Sequence, residues 1–310
     1  MSKVVALGGG HGLAATLSAL RQITQEITAI VTVADNGGSS GRLREEFPIF
    51  PPGDLRMALT ALCADDDWGR TWAQILQHRF DSNGELNGHA MGNLLLASMW
   101  NAGDDPVVAL DQVGQLLKVI GRVLPMAAVA LDIEGTFTTS TGRIVVRGQK
   151  EVAIAKGHIQ SLRIIPEDPP ARTEALTAIA DAQWITMGPG SWFSSVIPHL
   201  LVPAQLDALK SSKARKILIL NLDASSQSQG EEFAGSTPEQ HLEFFHHYAP
   251  ELTVDFCLVD QSVVRDEDAL RTAASTLGSE IVVADIRKAP GSIHHDAEKL
   301  GLHLGHIFSR

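Results

Sequence analysis

Four glycines within five positions, set directly behind a β-branched run, constrain this chain more than any other feature. Lys3-Val-Val-Ala-Leu-Gly8-Gly9-Gly10-His11-Gly12-Leu13 reads as strand, turn and helix, with Leu13, Leu17 and Leu20 on one helical face. That order opens many nucleotide-binding α/β domains. Bare backbone lets N–H groups approach an anion, and the helix N-terminus adds partial positive charge. The spacing departs from G-x-G-x-x-G, so dinucleotide binding does not follow from it. A glycine-rich turn can also be a tight turn with no ligand.

The next apolar run, Ile27-Thr-Ala-Ile-Val-Thr-Val-Ala34, is nearly continuous, as in a parallel strand covered on both faces. With the helix before it, the pair makes a right-handed βαβ unit. Directly after stands Asp35-Asn36-Gly37-Gly38-Ser39-Ser40-Gly41-Arg42-Leu43-Arg44, which we expect to be a long polar loop. It would lie beside the first turn, where open parallel sheets take ligands. A carboxylate, an amide, two hydroxyls and two guanidiniums on pliant backbone suit a sugar or phosphate, and exceed what a solvated turn needs. Pro51-Pro52-Gly53-Asp54-Leu55-Arg56 follows, with Asp54 placed to cap a helix bearing Leu55, Leu59 and Leu62. Arg56 opposes the helix dipole there, which an anion docked nearby would explain. Gly88-His89-Ala-Met-Gly92-Asn93 is expected to open another helix, with His89 and Asn93 on one face.

A helical stretch from Pro106 to Val123 gives way to short strands at 127–131, 136–139, 143–147 and 158–165. We read these as an antiparallel insertion over about residues 126–168. The alternation resumes with a strand from Gln183 to Met187 and a second bare turn, Gly188-Pro189-Gly190-Ser191, where Ser191 caps a helix or bonds a phosphate. Further strands end at Asn221-Leu222, Val259 and Asp285, and an amphipathic helix with Leu300 and Leu304 closes the chain. The expected fold is α/β: a Rossmann-like parallel-sheet sandwich as one domain over residues 1–310, carrying the small β insertion. Asp65-Asp66-Asp67 reads as a solvated helix end. His294-His295-Asp296 invites a metal, but neighbouring side chains diverge on a helix, and capping is the simpler role for Asp296.

Net charge is −11, so a broad nucleic-acid surface is excluded, while a small anion held by local loops is not. Cys63 and Cys257, far apart on apolar stretches, read as buried free thiols in a reducing compartment. No apolar signal core and no transmembrane-length run occur, so the expectation is a cytoplasmic protein without a membrane partner.

Taken together and in order, the motifs resemble the YvcK-like gluconeogenesis-factor group, related to the CofD-type 2-phospho-lactate transferases. The resemblance rests on Gly8-Gly-Gly-His-Gly-Leu13, Val33 to Arg44, Pro52-Gly-Asp-Leu-Arg56, Gly88 to Leu96, Gly188-Pro-Gly-Ser191 and Gly230-Glu231. It implies a CofD-like fold, a cytoplasmic location and a sugar-nucleotide pocket, with UDP-N-acetylglucosamine the expected ligand. Members support growth on gluconeogenic carbon sources, cell shape and wall synthesis, which implies a cell-wall or morphogenesis protein as partner; a homodimer is left open. Carried onto this chain, the pocket comprises Gly8, Gly9, Gly10, His11, Gly12, Asp35, Asn36, Gly37, Gly38, Ser39, Ser40, Arg42, Gly53, Asp54, Arg56, His89, Asn93, Gly188, Gly190, Ser191, Asn221 and Glu231. The chain departs from the family at His11, where Thr is usual, at Asn36, where a second Asp is usual, and at His294, which often is Arg. The rival expectation is an enzyme moving a phospho-lactyl group from a nucleoside diphosphate donor to a deazaflavin alcohol. In it Asp35 or Asp54 would act as base or hold Mg²⁺; otherwise no metal is expected. A third reading is an NAD-type dinucleotide binder with Asp35 on the ribose.

Overall fold

The computed structural model of the protein describes residues 2–222 and 237–310. Its strands are β1 (Val4–Gly8), β2 (Ile27–Val31), β3 (Arg122–Pro125), β4 (Asp132–Thr139), β5 (Gly142–Arg147), β6 (His158–Ile165), β7 (Trp184–Met187), β8 (Arg215–Ile219), β9 (Phe256–Asp260) and β10 (Glu280–Ala284). Seven of them form one sheet in the order β10-β9-β8-β7-β1-β2-β3, every neighbouring pair parallel. β1, β7 and β9 are buried along their whole length. Apolar cover on both faces of a parallel sheet demands such runs. The order runs outward from β1 in both directions, as in a doubly wound sheet, and reverses between β1 and β7. This is the Rossmann-like architecture expected.

The helices are α1 (Gly10–Leu20), α2 (Gly38–Glu46), α3 (Pro52–Ala61), α4 (Asp67–Gln77), α5 (Met91–Asn101), α6 (Pro106–Leu116), α7 (Gln149–Ala153), α8 (Thr173–Asp181), α9 (Pro198–Leu201), α10 (Pro203–Ser211), α11 (Pro238–Tyr248), α12 (Glu267–Ser275) and α13 (Ala297–Phe308). α1 buries Leu13, Leu17 and Leu20 against the sheet and packs on α13. α13 starts at Asp296, whose carboxylate accepts from the N–H groups of Glu298 and Lys299, so the capping role is the one realised. Asp66 caps α4 in the same way through Gly69. Cys63 and Cys257 are buried free thiols.

β4, β5 and β6 form a separate antiparallel sheet in the order β5-β4-β6, lying in sequence between β3 and β7. Its ties to the main body include Asp132, which accepts from Arg44 of α2 at 2.9 Å and also pairs with Arg147. Burial works against ionisation of Asp132, but the hydrogen bonds and charges of Arg147 and Arg44 outweigh it and hold its pKa below the usual carboxylate value.

Three local expectations are corrected. Residues 38–46 are helical rather than loop: propensity reads Gly-Ser-Ser-Gly as a turn, but burial of Ser39, Ser40 and Leu43 overrides it. The helix beginning at Pro106 stops at Leu116; the chain turns through Lys118, at φ 52, so that Val123 can join β3 beside β2. Residues 127–131 form no strand. Ala127 makes one bridge to Ala171, while the N–H groups of Met126 and Leu131 bond to Val31 and Val33 and prolong the end of β2. Among the described residues, no helix is long and apolar enough to cross a membrane.

Candidate functional site

The two bare turns meet where the strand order reverses. β1 delivers residues 8–12, and β7 delivers residues 188–191 immediately beside them. A Cβ on Gly12 would lie 2.2 Å from the Pro189 carbonyl oxygen and 2.6 Å from its carbon, so the turns pack backbone to backbone. The N–H of Gly10 points to the Asp54 carboxylate, and that of Leu13 returns to the Gly9 carbonyl. The N–H groups of His11 and Gly12, between them in the first turn of α1, have no hydrogen bond among the described residues. Unbonded amides at a helix start carry partial positive charge, which favours an anion there.

The second turn is braced from behind. The Asn221 side chain accepts from Gly190 N–H and donates to Gly190 C=O, both at 2.8 Å. Ser191 caps the turn that follows, accepting from Ser194 N–H at 3.0 Å; that turn opens as a π-helical segment over Trp192–Val196 rather than as an α-helix. Asn221 is therefore a brace holding the loop.

α2, α3 and α5 bring the remaining expected residues together, turned largely inward. Asp35 Oδ1 accepts from Gly37 N–H at 2.8 Å, and Ser40 Oγ accepts from Gly53 N–H at 3.0 Å. Asn93 donates to Ser39 Oγ at 3.0 Å, and Ser39 lies 2.9 Å from His89 Nδ1. Burial, then the charge of Arg42, holds His89 below its ordinary pKa. Arg56, 3% exposed, donates from Nε to Asn93 Oδ1 at 2.9 Å and from Nη1 to Gln77 Oε1 at 3.0 Å; Nη2 is left over. His89 precedes α5 rather than lying in it; Ala90 occupies the cap, and Ser39 is what joins His89 to Asn93. Arg42 donates to the carbonyls of Glu85 and Asn87, tying down an outer loop. Ser39, Ser40, Asn93 and Arg42 thus shape the cleft, and Gly37, Gly38 and Gly53 form the helix starts around it.

Asp54 does not cap its helix: Pro51 holds that position, without a side-chain cap. The carboxylate sits in the first turn of α3, reaching Gly10 N–H and Thr32 Oγ1 (3.4 Å to Oδ2). Burial raises its pKa, the neighbouring Asp35 raises it further, and it stands at about 7. Arg56 is pushed the other way, to about 10, first by burial and then by Arg79. Reduced solvation and crowded charge of both signs are marks of a working site.

Sequence reasoning missed several participants. Arg79, whose charge opposes protonation of His11, Arg56 and His89, stands alone after α4 with no motif around it. Glu151 and Lys150 of α7 clasp Asn36, the first accepting from Nδ2 at 3.0 Å and the second donating its N–H to Oδ1 at 3.1 Å. Gln149 reaches Ser194 at 3.4 Å, so the β insertion overhangs the cleft. Contacts over a hundred residues apart leave no local trace. His294 faces His11 with ring centroids 6.3 Å apart. Among the described residues no group of three or more His, Cys, Asp or Glu forms a metal site. Glu231 lies outside the described residues.

A family model described as 2-phospho-L-lactate transferase CofD matches residues 4–298. The chain is similar to a Mycobacterium leprae protein that carries the name gluconeogenesis factor provisionally, 49% identical over 97% of this chain and 84% of that one. A protein of Halalkalibacterium halodurans named gluconeogenesis factor is 38% identical over 92% of this chain and 85% of its own length. Among solved structures, a UPF0052 family member from Bacillus halodurans matches with TM-score 0.86 at 35% identity, covering 98% of this chain and 99% of that one.

Proposed function

We propose, since the chain belongs to the CofD family and has the gluconeogenesis factors among its relatives, that it is a sugar-nucleotide-binding regulator. Its ligand would be a uridine diphosphate sugar of the UDP-N-acetylglucosamine type, and its role the support of growth on gluconeogenic carbon, cell shape and wall synthesis. The observation that carries the reading is the pair of unbonded amides, His11 and Gly12, opening onto the cleft at the sheet's reversal point. A diphosphate would take those donors and Asp35 would accept from hydroxyl groups, whereas Asn36, expected for the same role, is held by α7 instead. Binding across both turns would favour the conformer in which α7 is seated, altering a surface that a wall-synthesis protein reads. Calorimetry should give saturable heat with UDP-N-acetylglucosamine and none with free N-acetylglucosamine; no heat at millimolar nucleotide sugar overturns the reading.

A second reading has its own support in the Asp35–Asp54 pair. A carboxyl held near neutrality is suited to accept a proton, and two carboxylates beside a phosphate suit Mg²⁺, which keeps most of its other ligands as water and phosphate. This is the arrangement a phospho-lactyl transferase would need. Product formed from a phospho-lactyl nucleoside diphosphate, a deazaflavin alcohol and Mg²⁺ would establish turnover, and its absence at high enzyme concentration would leave the regulator.

A further inference from the structure

We infer that the free edge of β5 is a docking strand, and that its occupant is an extended acidic segment of another protein, added antiparallel to the small sheet. The inference stands apart from what the cleft binds.

β5 pairs with β4 on one side and with no strand on the other. Such an edge leaves alternate N–H and C=O groups without a partner strand, and these template a further one. The opposite edge of the same sheet is covered instead. Leu162 of β6 donates its N–H to the Tyr248 hydroxyl of α11 at 2.6 Å, and α9 packs on that strand. The register sorts the side chains of β5 into two rows. Ile144 and Val146 stand opposite Phe137 and Gly135, on the face that buries Phe137. Arg143, Val145 and Arg147 stand opposite Thr138, Thr136 and Glu134, on the other face. Val145 is 59% exposed and Ile144 38%, although both lie in mid-strand. A protected edge carries a charge, a proline or a bulge where a neighbour would pair; here the centre is Ile-Val-Val and the arginines flank it.

Charge decides what fits. Residues 142–163 hold five cations, Arg143, Arg147, Lys150, Lys156 and Arg163, against one acid, Glu151, in a chain of net charge −11. The acids of β4 on the arginine face are already engaged: Asp132 by Arg44 and Arg147, Glu134 by Arg163. Arg143 is exposed and makes no ion pair among the described residues. A second copy of this chain is a poor occupant. Antiparallel pairing of two β5 strands in full register sets Arg143 of each copy against Arg147 of the other, and like charges directly opposite destabilise a sheet. Slipping the register relieves this only by shortening the ladder. Lipid headgroups would meet the same cations but leave the edge amides unpaired. An acidic strand satisfies both. Carboxylates four positions apart would face Arg143 and Arg147, with a β-branched residue between them on Val145 and apolar residues opposite Ile144 and Val146. β5 continues through Gly148 into α7, so the docked strand would adjoin in sequence the helix that clasps Asn36 beside the cleft.

The probe is a synthetic peptide, Glu-Val-Thr-Val-Glu, with glycine at each end and both termini blocked. Methyl resonances of Ile144 and Val145 are followed by NMR in the full chain as the peptide is added. We expect saturable shifts with a dissociation constant of roughly 0.1–1 mM, and slower exchange of the β5 amides. Replacing both Glu by Lys should weaken binding at least about tenfold, and so should replacing the central Thr by Pro, which keeps the charge but spoils the strand. Arg143→Glu should weaken the acidic peptide roughly tenfold and strengthen the lysine peptide, a swap that misfolding would not produce. No methyl shift at millimolar acidic peptide overturns the inference. Equal binding of the lysine peptide refutes the charge argument and overturns it, and equal binding of the proline peptide refutes strand addition. A dimer in sedimentation that Val145→Lys dissociates would assign the edge to a second copy, and shifts with phosphatidylglycerol vesicles but not with peptide would assign it to a membrane; either result overturns the acidic segment.

Discussion

Gly12 has no room for a side chain. Its missing Cβ leaves space that the Pro189 carbonyl fills at 2.2 Å, and both neighbours are main chain, so nothing flexible can give way. Gly12→Ala should separate the two turns. Sites that depend on placement within about 0.5 Å do not survive such a shift, and affinity for UDP-N-acetylglucosamine should fall by at least about tenfold in calorimetry. Asp54 presents a different residue-scale consequence. In the unfolded chain it loses its proton near pH 3.8; in the fold, burial and Asp35 let it keep the proton to about 7. Between these values the folded state holds the extra proton, so stability falls as pH rises through the window. Asn carries no such charge. Asp54→Asn should therefore stabilise the protein above pH 7, by at least about 1 kcal/mol, and change little below pH 4. Urea unfolding across that range checks it; a variant less stable at alkaline pH would show that the carboxylate stabilises the turn instead.

At the scale of elements, the cleft is assembled by two short pieces that the chain brings from far apart. α2 carries Arg44 to Asp132 of β4, and the residues just before α2 meet α7 through Asn36. Asn36 serves both ends of that contact, donating to Glu151 and accepting from the Lys150 N–H, a division that an Asp could not perform without facing Glu151 as a like charge. Asn36→Ala should loosen α7 locally while leaving the seven-stranded sheet intact. Two exposed hydrogen bonds at about 0.5–1.5 kcal/mol each correspond to roughly tenfold faster exchange of the α7 amides. Hydrogen exchange resolved to residues 149–153 measures this directly; unchanged protection there would mean that the sheet of β4, β5 and β6 positions α7 without Asn36. The clasp also explains why the insertion was legible as strands but its position was not. Alternation and turns mark β4, β5 and β6 locally, whereas a bond between residues 36 and 151 leaves nothing in the sequence around either.

For the whole molecule, the sheet was readable because a parallel sheet covered on both faces forces its strands to be nearly uninterrupted apolar runs, as Val4–Gly8 and Phe256–Asp260 are. The turn glycines were readable because close backbone approach tolerates nothing larger, as at Gly12. Gly38–Glu46 misled because tertiary burial, not propensity, makes it a helix. Arg79 was invisible because one arginine on a surface turn has no pattern. The last element of the chain ties these levels together. α13 buries Leu300, Leu304 and Ile307, stacks Phe308 on Trp184 with centroids 4.6 Å apart, and packs on α1, whose first turn offers the unbonded amides. Leu304→Ala should cost about 2–5 kcal/mol in urea unfolding, since a fully buried leucine leaves a cavity the helix cannot close. Its distance from the turn makes a further outcome decisive. Ligand at about a hundred times its Kd stabilises a competent fold by about 2.7 kcal/mol. Leu304→Ala, destabilised but with its cleft intact, should regain that amount with UDP-N-acetylglucosamine, whereas Gly12→Ala should regain little of it. A Leu304→Ala protein that fails to respond would mean that α13 sets the pitch of α1 and, through it, the direction in which the His11 and Gly12 amides point.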